Sequence, residues 1–194
     1  MTQHRGNRYG RSEDARAKVL HSADDLLAEV GFAALTMEGI ARRAGVAKQT
    51  IYRWWPTKAD VLLEALITDA DKRLTMPDTG ALAGDVRAAV QLLAALMADP
   101  EEGKLLRALQ SHSELDPGFA AKFESAFLVG HRERENAPLR RAIDRGELPL
   151  DIDLTLARAT LYGPVYALPV DQLTPDRVRA IADRWLAAVG VRPK

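Results

Sequence analysis

Residues 36–55 read Thr-Met-Glu-Gly-Ile-Ala-Arg-Arg-Ala-Gly-Val-Ala-Lys-Gln-Thr-Ile-Tyr-Arg-Trp-Trp, and this stretch decides the fold. Thr36 is a good helix N-cap, and the glycine at position 45 ends that helix after about two turns. A second short helix begins near Ala47 and must stop at Pro56, because proline lacks an amide hydrogen and disfavours helix in the residue before it. Two short helices joined by a tight turn predict a helix-turn-helix.

The second of these helices has two unlike faces. Val46, Ile51 and Trp55 are expected to point inward together with Ile40 and Ala41. The opposite face carries hydrogen-bond donors, an amphipathic ring and positive charges, on Lys48, Gln49, Tyr52 and Arg53. Side chains of these types read base edges and bind phosphates in a major groove. The pattern therefore predicts a DNA-binding helix.

The rest of the chain also predicts helices. An apolar stripe over residues 19–30 predicts a first helix that ends at Gly31, and Thr57 begins a fourth. Prolines then divide the chain into helical pieces at about 82–98, 101–115, 118–145, 153–168 and 175–189. Pro138 and Pro164 fall inside two of these pieces and are expected to kink or split them. Since no segment alternates as a strand does, we predict an all-α fold.

Charge is unevenly distributed along the chain. The 27 basic and 27 acidic residues give a net charge of zero, which at first argues against nucleic acid as a partner. Residues 1–60, however, carry ten basic and seven acidic side chains, 10 − 7 = +3, which leaves −3 for the remainder. A basic front and an acidic back indicate two parts with different partners.

Composition excludes several classes of protein. With 47% hydrophobic residues the chain is not disordered on a large scale, and no apolar run approaches the roughly 20 residues of a membrane span. Residues 1–12 lack the apolar stretch of a secretory signal. The chain has no cysteine, so it has no disulfide framework and no thiolate nucleophile, which suits a reducing cytoplasm.

An enzyme is not expected. A di-metal site in a helical bundle would need Glu three residues before His, but the residues three before His21, His112 and His131 are lysine, leucine and leucine. There is no Gly-rich phosphate loop, no His-Glu-x-x-His motif and no serine-nucleophile elbow. We therefore expect no catalytic residues, no metal and no cofactor.

The stretch from Ala44 to Lys58, with its flanking segments 31–36 and 60–62, resembles the DNA-binding signature of the TetR family of bacterial transcriptional regulators. The likeness is strong over residues 13–66. The remainder resembles the family in its all-helical layout and in the phrase Arg141-Ala-Ile-Asp-Arg-Gly-Glu147. The resemblance implies an N-terminal three-helix DNA-binding domain and a C-terminal helical bundle for ligand binding and dimerisation. We place a flexible basic arm at 1–12, the helix-turn-helix domain at 13–57, a connecting helix at 58–78 and the C-terminal domain at 79–194.

The resemblance also assigns DNA contacts residue by residue. The base-facing positions are Lys48, Gln49 and Tyr52, and the phosphate-facing positions are Thr36, Thr50, Arg53, Trp54 and Lys58. Two residues depart from the family pattern: Ala47 stands where many members have Ser, and Trp54 stands where many have His. Trp54 either donates its indole hydrogen to a phosphate or packs beside Trp55.

Basic residues outside the signature have two interpretations each. Arg5, Arg8 and Arg11 form either an arm that reaches the neighbouring minor groove or a frayed terminus. Arg42 and Arg43 either add phosphate contacts or form a solvated face.

Apolar faces with a few polar groups in the C-terminal part predict an effector pocket. Its candidate residues are Leu109, His112, Phe123, Phe127, His131 and Tyr162, although the same aromatics also fit a plain core, and the histidines satisfied core positions. The last two helical pieces look like the family's dimerising pair, which would form an isologous four-helix bundle with its symmetry mate.

The sequence thus predicts a cytoplasmic DNA-binding regulator. We expect a repressor that binds a palindromic operator as a homodimer, with double-stranded DNA and a partly apolar small molecule as partners, and that is released by that effector. The fourth helix is expected to carry the shift between the domains. The alternative is a constitutive DNA-binding protein without an effector.

Overall fold

A computed structural model describes residues 8–73 and 75–191 of the chain. The regular structure of these ranges consists of helices and includes no strand, as the sequence predicts. The α-helices are α1 (Arg8–Ala34), α2 (Met37–Ala44), α3 (Lys48–Trp54), α4 (Lys58–Arg73), α5 (Leu82–Ala98), α6 (Glu102–Leu115), α7 (Pro117–Phe123), α8 (Val129–Asp144), α9 (Leu154–Ala167) and α10 (Pro175–Ala188).

Helix ends in the front part follow the predicted capping residues. The Thr36 hydroxyl accepts a hydrogen bond from the Gly39 amide at 3.0 Å, which caps α2. Gly45 ends α2 in the left-handed conformation, with φ 67° and ψ 30°. Gly31 breaks the regular helix with φ 76° and ψ 167°, and one further turn follows it before α1 ends. The predicted ends of α2 and α3 are confirmed, whereas α1 continues for one turn past its predicted end at Gly31.

The chain forms two compact units. The first contains Met1–Asp69 and Lys104–Phe123, and the second contains Ala70–Gly103 and Glu124–Lys194. Most of α6 and all of α7 therefore group with the helix-turn-helix, whereas the sequence places both in the C-terminal part.

The core of the first unit lies between α1, α2, α3 and α4. From the stripe predicted on α1, Val19, Ala23 and Leu27 are buried, but Val30 is 49% exposed. Ile40 and Ile51 are fully buried, so the two short helices face each other through apolar side chains. This packing leaves the other face of α3 free.

In the second unit α5 is the central helix and packs against α8, α9 and α10. Its buried face carries Val86, Ala89, Val90 and Leu93, each fully removed from solvent. The facing helices contribute apolar side chains, which include Leu139, Leu161, Val165, Ala182 and Leu186.

The long segment that contains Pro138 departs from a plain α-helix, but not at the proline. A five-residue π-helical turn, Glu124–Leu128, joins α7 to α8, and α8 then continues through Pro138. Likewise α9 continues through Pro164. The expected splitting at the prolines is therefore wrong, because buried side chains on both sides of each proline hold the helix together despite the lost amide donor.

Residues of the segment 141–147 contact a buried carboxylate and the backbone at the start of α5. Asp85 is fully buried and accepts hydrogen bonds from the Thr79 amide at 2.6 Å and from Arg145 at 3.1 Å. Glu147 accepts a hydrogen bond from the Leu82 amide at 2.7 Å, which caps the same helix. Burial raises the pKa of Asp85, but the hydrogen bonds from Thr79 and Arg145 outweigh it and hold the pKa below its ordinary value.

We expect Asp85→Ala to lower the free energy of unfolding by about 2–3 kcal/mol, because it leaves the buried partners of this carboxylate unsatisfied. Urea unfolding followed by circular dichroism measures the change. Asp78→Ala is the matched control, since Asp78 approaches the same arginines but is 60% exposed, and should cost less than about 1 kcal/mol.

The same carboxylate makes the free energy of unfolding depend on pH in the acidic range. Because its pKa is lower in the folded chain than in the unfolded one, its contribution is present above about pH 4 and is lost as the pH falls through the folded value. The unfolding free energy of Asp85→Ala should therefore fall less steeply between pH 5 and pH 3. Equal slopes for the two proteins would contradict this role.

Candidate DNA-binding surface and ligand-binding cluster

Helix α3 has the two faces that its sequence predicts. Ile51 is fully buried, and Trp55, which follows the helix, is buried beside it. The side chains that point outward are exposed: Lys48, Gln49, Tyr52 and Arg53. Thr50 is half-buried at the edge of this face. A helix of this kind presents two donors, a phenol ring and a guanidinium to solvent, a set that suits a DNA groove.

Glu64 on α4 fixes the end of α3. The Trp55 indole donates a hydrogen bond to the Glu64 carboxylate at 2.8 Å, and Arg16 of α1 pairs with the same carboxylate through two nitrogens. The Arg16 guanidinium also lies 5.1 Å from the Trp55 ring centroid. Partial burial raises the pKa of Glu64, but the bonds from Arg16 and Trp55 together lower it, so the carboxylate stays charged.

Glu38 on α2 holds Lys48, a residue predicted to face the bases. The Lys48 ammonium lies 2.5 Å from the Glu38 carboxylate, and the Tyr52 hydroxyl donates to the same carboxylate at 3.4 Å. This pairing raises the pKa of Lys48 and lowers that of Glu38. Sequence analysis did not single out Glu38, because the pair forms only once the turn at Gly45 brings α2 and α3 together.

Trp54 lies half-buried against its neighbour. Its ring meets the Trp55 ring edge-on, with 5.4 Å between centroids, and the Arg53 guanidinium lies 5.7 Å from its centroid. Of the two alternatives for Trp54, packing beside Trp55 is present in the structure. The ring also supports Arg53 on the exposed face.

Lys58 acts as a cap for α1. Its ammonium donates to the carbonyl oxygens of Phe32 at 2.6 Å and Leu35 at 2.9 Å, and lies 4.6 Å from the Phe32 ring centroid. Partial burial lowers its pKa. In the free chain the ammonium thus satisfies the end of a helix, and the phosphate-facing role of Lys58 stays a prediction.

The remaining basic residues differ in how much the structure describes. Arg43 pairs with Glu29 through two hydrogen bonds of 2.6 Å, whereas Arg42 is exposed. The predicted arm includes Arg5, which lies outside the described residues. The side chains of Arg8 and Arg11 also lie outside them.

The six predicted effector-pocket residues fall into two groups. Leu109, His112 and Phe123 belong to the first unit. There the His112 ring lies 5.1 Å from the Phe32 ring and 4.8 Å from the Phe119 ring, between α1 and α7. His112 thus contributes to the packing of α6 in that unit.

Phe127, His131 and Tyr162 belong to the second unit and surround Glu135. The Tyr166 hydroxyl donates to Glu135 at 2.7 Å, so it accepts from the Nε2–H of His131 at 2.6 Å. The Tyr162 hydroxyl donates to the Glu135 backbone carbonyl at 3.3 Å. We call Phe127, His131, Glu135, Arg158, Tyr162 and Tyr166 the His131 cluster.

Charge in the His131 cluster is balanced. Glu135 is fully buried, and Arg158 donates to it at 3.0 Å. Burial raises the pKa of Glu135, but contacts with His131, Tyr166 and Arg158 lower it below its ordinary value, so the buried carboxylate is ionised. Burial also raises the pKa of both tyrosines, which remain neutral donors. Sequence analysis missed Glu135 and Arg158, although the four-residue spacing of His131 and Glu135 is a helical signal.

One acceptor in the cluster is unused. The Nδ1 atom of His131 is buried without a hydrogen-bond partner in the described chain, and with Nε2 protonated it accepts a hydrogen bond when the ring is neutral. Because a buried polar atom without a partner is costly, it marks a position suited to a ligand donor.

Two cavities of the second unit lie elsewhere. A trough of about 860 Å³ runs along α9 and α10 and is lined by residues that include Thr160, Pro164, Leu168, Ile181, Arg184 and Trp185. We call it the α9–α10 trough. A second cavity lies between α5 and α10. None of the six predicted pocket residues lines either one.

Metal sites and membrane-spanning helices are both absent from the described residues. These residues contain no group of three or more histidine, aspartate or glutamate side chains that could hold a metal ion. Across the same ranges, no helix combines the length and the apolar character needed to cross a membrane.

Two family models match successive parts of the chain. Residues 19–65 match the model for bacterial regulatory proteins of the tetR family, and residues 76–185 match that for the tetracyclin repressor-like C-terminal domain. A Bacillus subtilis (strain 168) HTH-type transcriptional regulator, YdeS, is 34% identical over 80% of this chain and 78% of its own. A Mycobacteroides abscessus DNA-binding transcriptional repressor, TetR, is 29% identical over 86% and 93%.

Solved structures share the fold. The TetR family transcription regulator SCO0332 is 30% identical and superposes with a TM-score of 0.73, over 91% of this chain and 98% of its own. The regulator FadR from Bacillus subtilis, in complex with stearoyl-CoA, is 20% identical with a TM-score of 0.66 over 91% and 99%. At that identity the second likeness concerns the fold alone.

We expect Lys58→Met to lower the free energy of unfolding by about 1–2 kcal/mol, because the carbonyls at the end of α1 lose their donor. Thermal unfolding at neutral pH measures it. Lys18→Met removes the same charge from an exposed position on α1 and is the control. If Lys58→Met left stability unchanged and weakened DNA binding alone, Lys58 would contact phosphate and would not stabilise the end of α1.

Proposed function

The chain belongs to the TetR family of bacterial regulatory proteins, and we propose that it is a repressor that binds a palindromic operator as a homodimer and is released by a small molecule. The family consists of DNA-binding transcriptional regulators and is not an enzyme family. The observation that carries the proposal is the exposed polar face of α3 on a buried apolar core. Since its target is DNA, we place the protein in the cytoplasm.

Lys48, Gln49 and Tyr52 are the proposed base-facing residues. Lys48 can donate to guanine and Gln49 can pair with adenine. In the free protein Lys48 is held by Glu38, so it exchanges that carboxylate for a base acceptor when it binds. Binding thus depends on a good acceptor at this position, since a poor one does not replace the lost ion pair.

The proposed phosphate contacts surround this face. They come from Thr36, Thr50, Arg53, Trp54 and Lys58, and Lys58 exchanges the carbonyls at the end of α1 for a phosphate when it binds. Arg53 is exposed and is supported by the Trp54 ring, which limits the guanidinium to fewer conformations. Phosphate contacts fix the register of the helix on the duplex, while the base-facing residues provide specificity.

The α9–α10 trough supports the proposed dimer. Its lining is mostly apolar, and Leu156, one helical turn before Thr160 on α9, is 61% exposed. An open apolar face on two neighbouring helices suits a four-helix bundle with a symmetry mate. A dimer is also required by recognition, because one helix reads too few base pairs, whereas two placed about 34–36 Å apart read successive turns of a palindrome.

The His131 cluster is the proposed polar end of the effector site. The unused Nδ1 acceptor of His131 suits a ligand that carries a hydroxyl or amide donor, while Phe127 provides an apolar contact. The stearoyl-CoA complex of FadR supports this in general terms, because it is a small-molecule complex of a protein with this fold.

Contacts inside the first unit support a route by which an effector changes the DNA-binding helices. The Lys104 ammonium of α6 donates to the Ala28 carbonyl of α1 at 2.7 Å, and Lys122 of α7 lies 2.5 Å from Asp60 of α4. Helices α6 and α7 are therefore joined to the DNA-binding helices by their own contacts, in addition to the predicted connection through α4. An effector must favour the released conformer by about 5.5 kcal/mol to move the population almost completely.

A constitutive DNA-binding protein is the second candidate function. The ionised Glu135 and its partners are also consistent with a purely structural cluster. A compound whose addition lowers operator affinity to a saturable limit, with the effect lost in His131→Phe, would favour the switch. Compounds that bind the protein but never alter operator affinity would favour the constitutive protein.

We expect selection of bound DNA from a random pool to yield a palindrome. Gln49→Ala should relax the base preference at one or two symmetric positions, at a cost of about 1–3 kcal/mol there. Arg53→Ala should instead weaken all sequences similarly and make the dependence on salt less steep. An unchanged selection profile for Gln49→Ala would show that this side chain does not read bases.

We expect Ile181→Asp to convert the dimer to monomers, because it places a charge in the α9–α10 trough. Sedimentation velocity measures the change, and operator affinity should fall with it. Val129→Asp, which adds the same charge at an exposed apolar position of α8 outside the trough, is the control and should remain dimeric. A dimer that survives Ile181→Asp but not Val129→Asp would place the interface elsewhere.

A further inference from the structure

The cavity between α5 and α10 combines an apolar wall with a positively charged rim. Its volume is about 320 Å³, and its lining comes from α5, the residues before α10 and the first turns of α10. The wall consists of Ala94, Ala95, Ala98, Leu173, Pro175 and Val178, and the rim consists of Arg87, Gln91 and Arg179. We call it the α5–α10 cavity.

Both arginines have guanidinium N–H groups that form no hydrogen bond within the described chain. Arg87 uses its Nε to donate to Asp183 at 2.8 Å, and no other bond from its guanidinium occurs within the described chain. Arg179 is exposed and forms no ion pair or hydrogen bond with any residue of 75–191. Gln91 adds an amide beside them. Among the described lining residues none is acidic, so Asp183, outside the lining, balances the charge of Arg87, while Arg179 has no counter-charge.

The side chains that line the cavity favour one kind of anion. Guanidinium groups match a carboxylate, which accepts two parallel hydrogen bonds. The alanine, proline and valine side chains opposite offer no hydrogen bonds and favour an aliphatic or aromatic body. A volume of this size is at the lower end for small-molecule sites, so the ligand has about ten carbon atoms.

We propose that the α5–α10 cavity binds a monocarboxylate with an apolar body, its carboxylate between Arg87 and Arg179 and its chain along Ala94, Ala95 and Ala98. The cavity shares no residue with the His131 cluster or the α9–α10 trough. The proposal therefore rests on neither the proposed effector site nor DNA binding, and it can be tested without either.

Decanoate is the probe, and 1-decanol, which has the same chain without the charge, is the control. Isothermal titration calorimetry of the full chain should show saturable binding of decanoate with one site per chain. Binding of 1-decanol should be at least tenfold weaker. Equal affinity for the two compounds would mean that the rim takes no part, which would overturn the proposal.

Three variants place the site. Arg179→Gln removes the unpaired guanidinium and should weaken decanoate at least tenfold, and Ala95→Phe, at an exposed position of the wall, should abolish binding by filling the cavity. Arg140→Gln removes the same charge from the exposed surface of α8 and should bind as the unaltered chain does. Full binding in both Arg179→Gln and Ala95→Phe, or binding of many decanoate molecules per chain, would assign the ligand to another surface and refute the proposal.

Discussion

The carboxylate of Glu64 holds helix α3 in position. It accepts the indole hydrogen of Trp55 immediately after α3, and it pairs with Arg16 from α1, so three helices meet at one charged group. The short α3 makes few contacts of its own, and a seven-residue helix is not stable alone. Its exposed face points outward only because Ile51 and Trp55 are held inward. Every proposed contact with DNA depends on this arrangement.

The sequence predicts the helices well where the signals are local. Thr36, Gly45 and Pro56 mark their ends through their own backbone or hydroxyl chemistry, and α5 has the predicted bounds 82–98. The same reasoning does not predict the helix-end contacts of Lys58, because its partners Phe32 and Leu35 lie 26 and 23 residues earlier in the chain. No local sequence pattern predicts a contact between residues so far apart in the chain.

Buried charge is the other limit on what the sequence can predict. Asp85 and Glu135 are both fully buried and ionised, although acidic residues are usually assigned to the surface. Each is tolerated because an arginine and several donors from distant segments surround it. The apolar positions of these helices were predictable from their spacing. The polar positions required the tertiary structure, since their partners, such as Arg158 for Glu135, lie on another helix.

The π-helical turn at Glu124–Leu128 affects the phase of the helix that contains it. Buried side chains recur at every fourth position along this helix, on Phe119, Phe123, Phe127, His131, Glu135 and Leu139. In a regular α-helix four residues overshoot a full circle by about 40°, so this repeat would drift by about 200° over its length. The wider π turn takes up part of that drift. Within the second unit, the turn places Phe127 on the same buried side as His131, Glu135 and Leu139, and the Phe127 and His131 rings stack with 5.1 Å between their centroids. The turn therefore determines which side of the helix Phe127 occupies, and with it the ring against which His131 stacks.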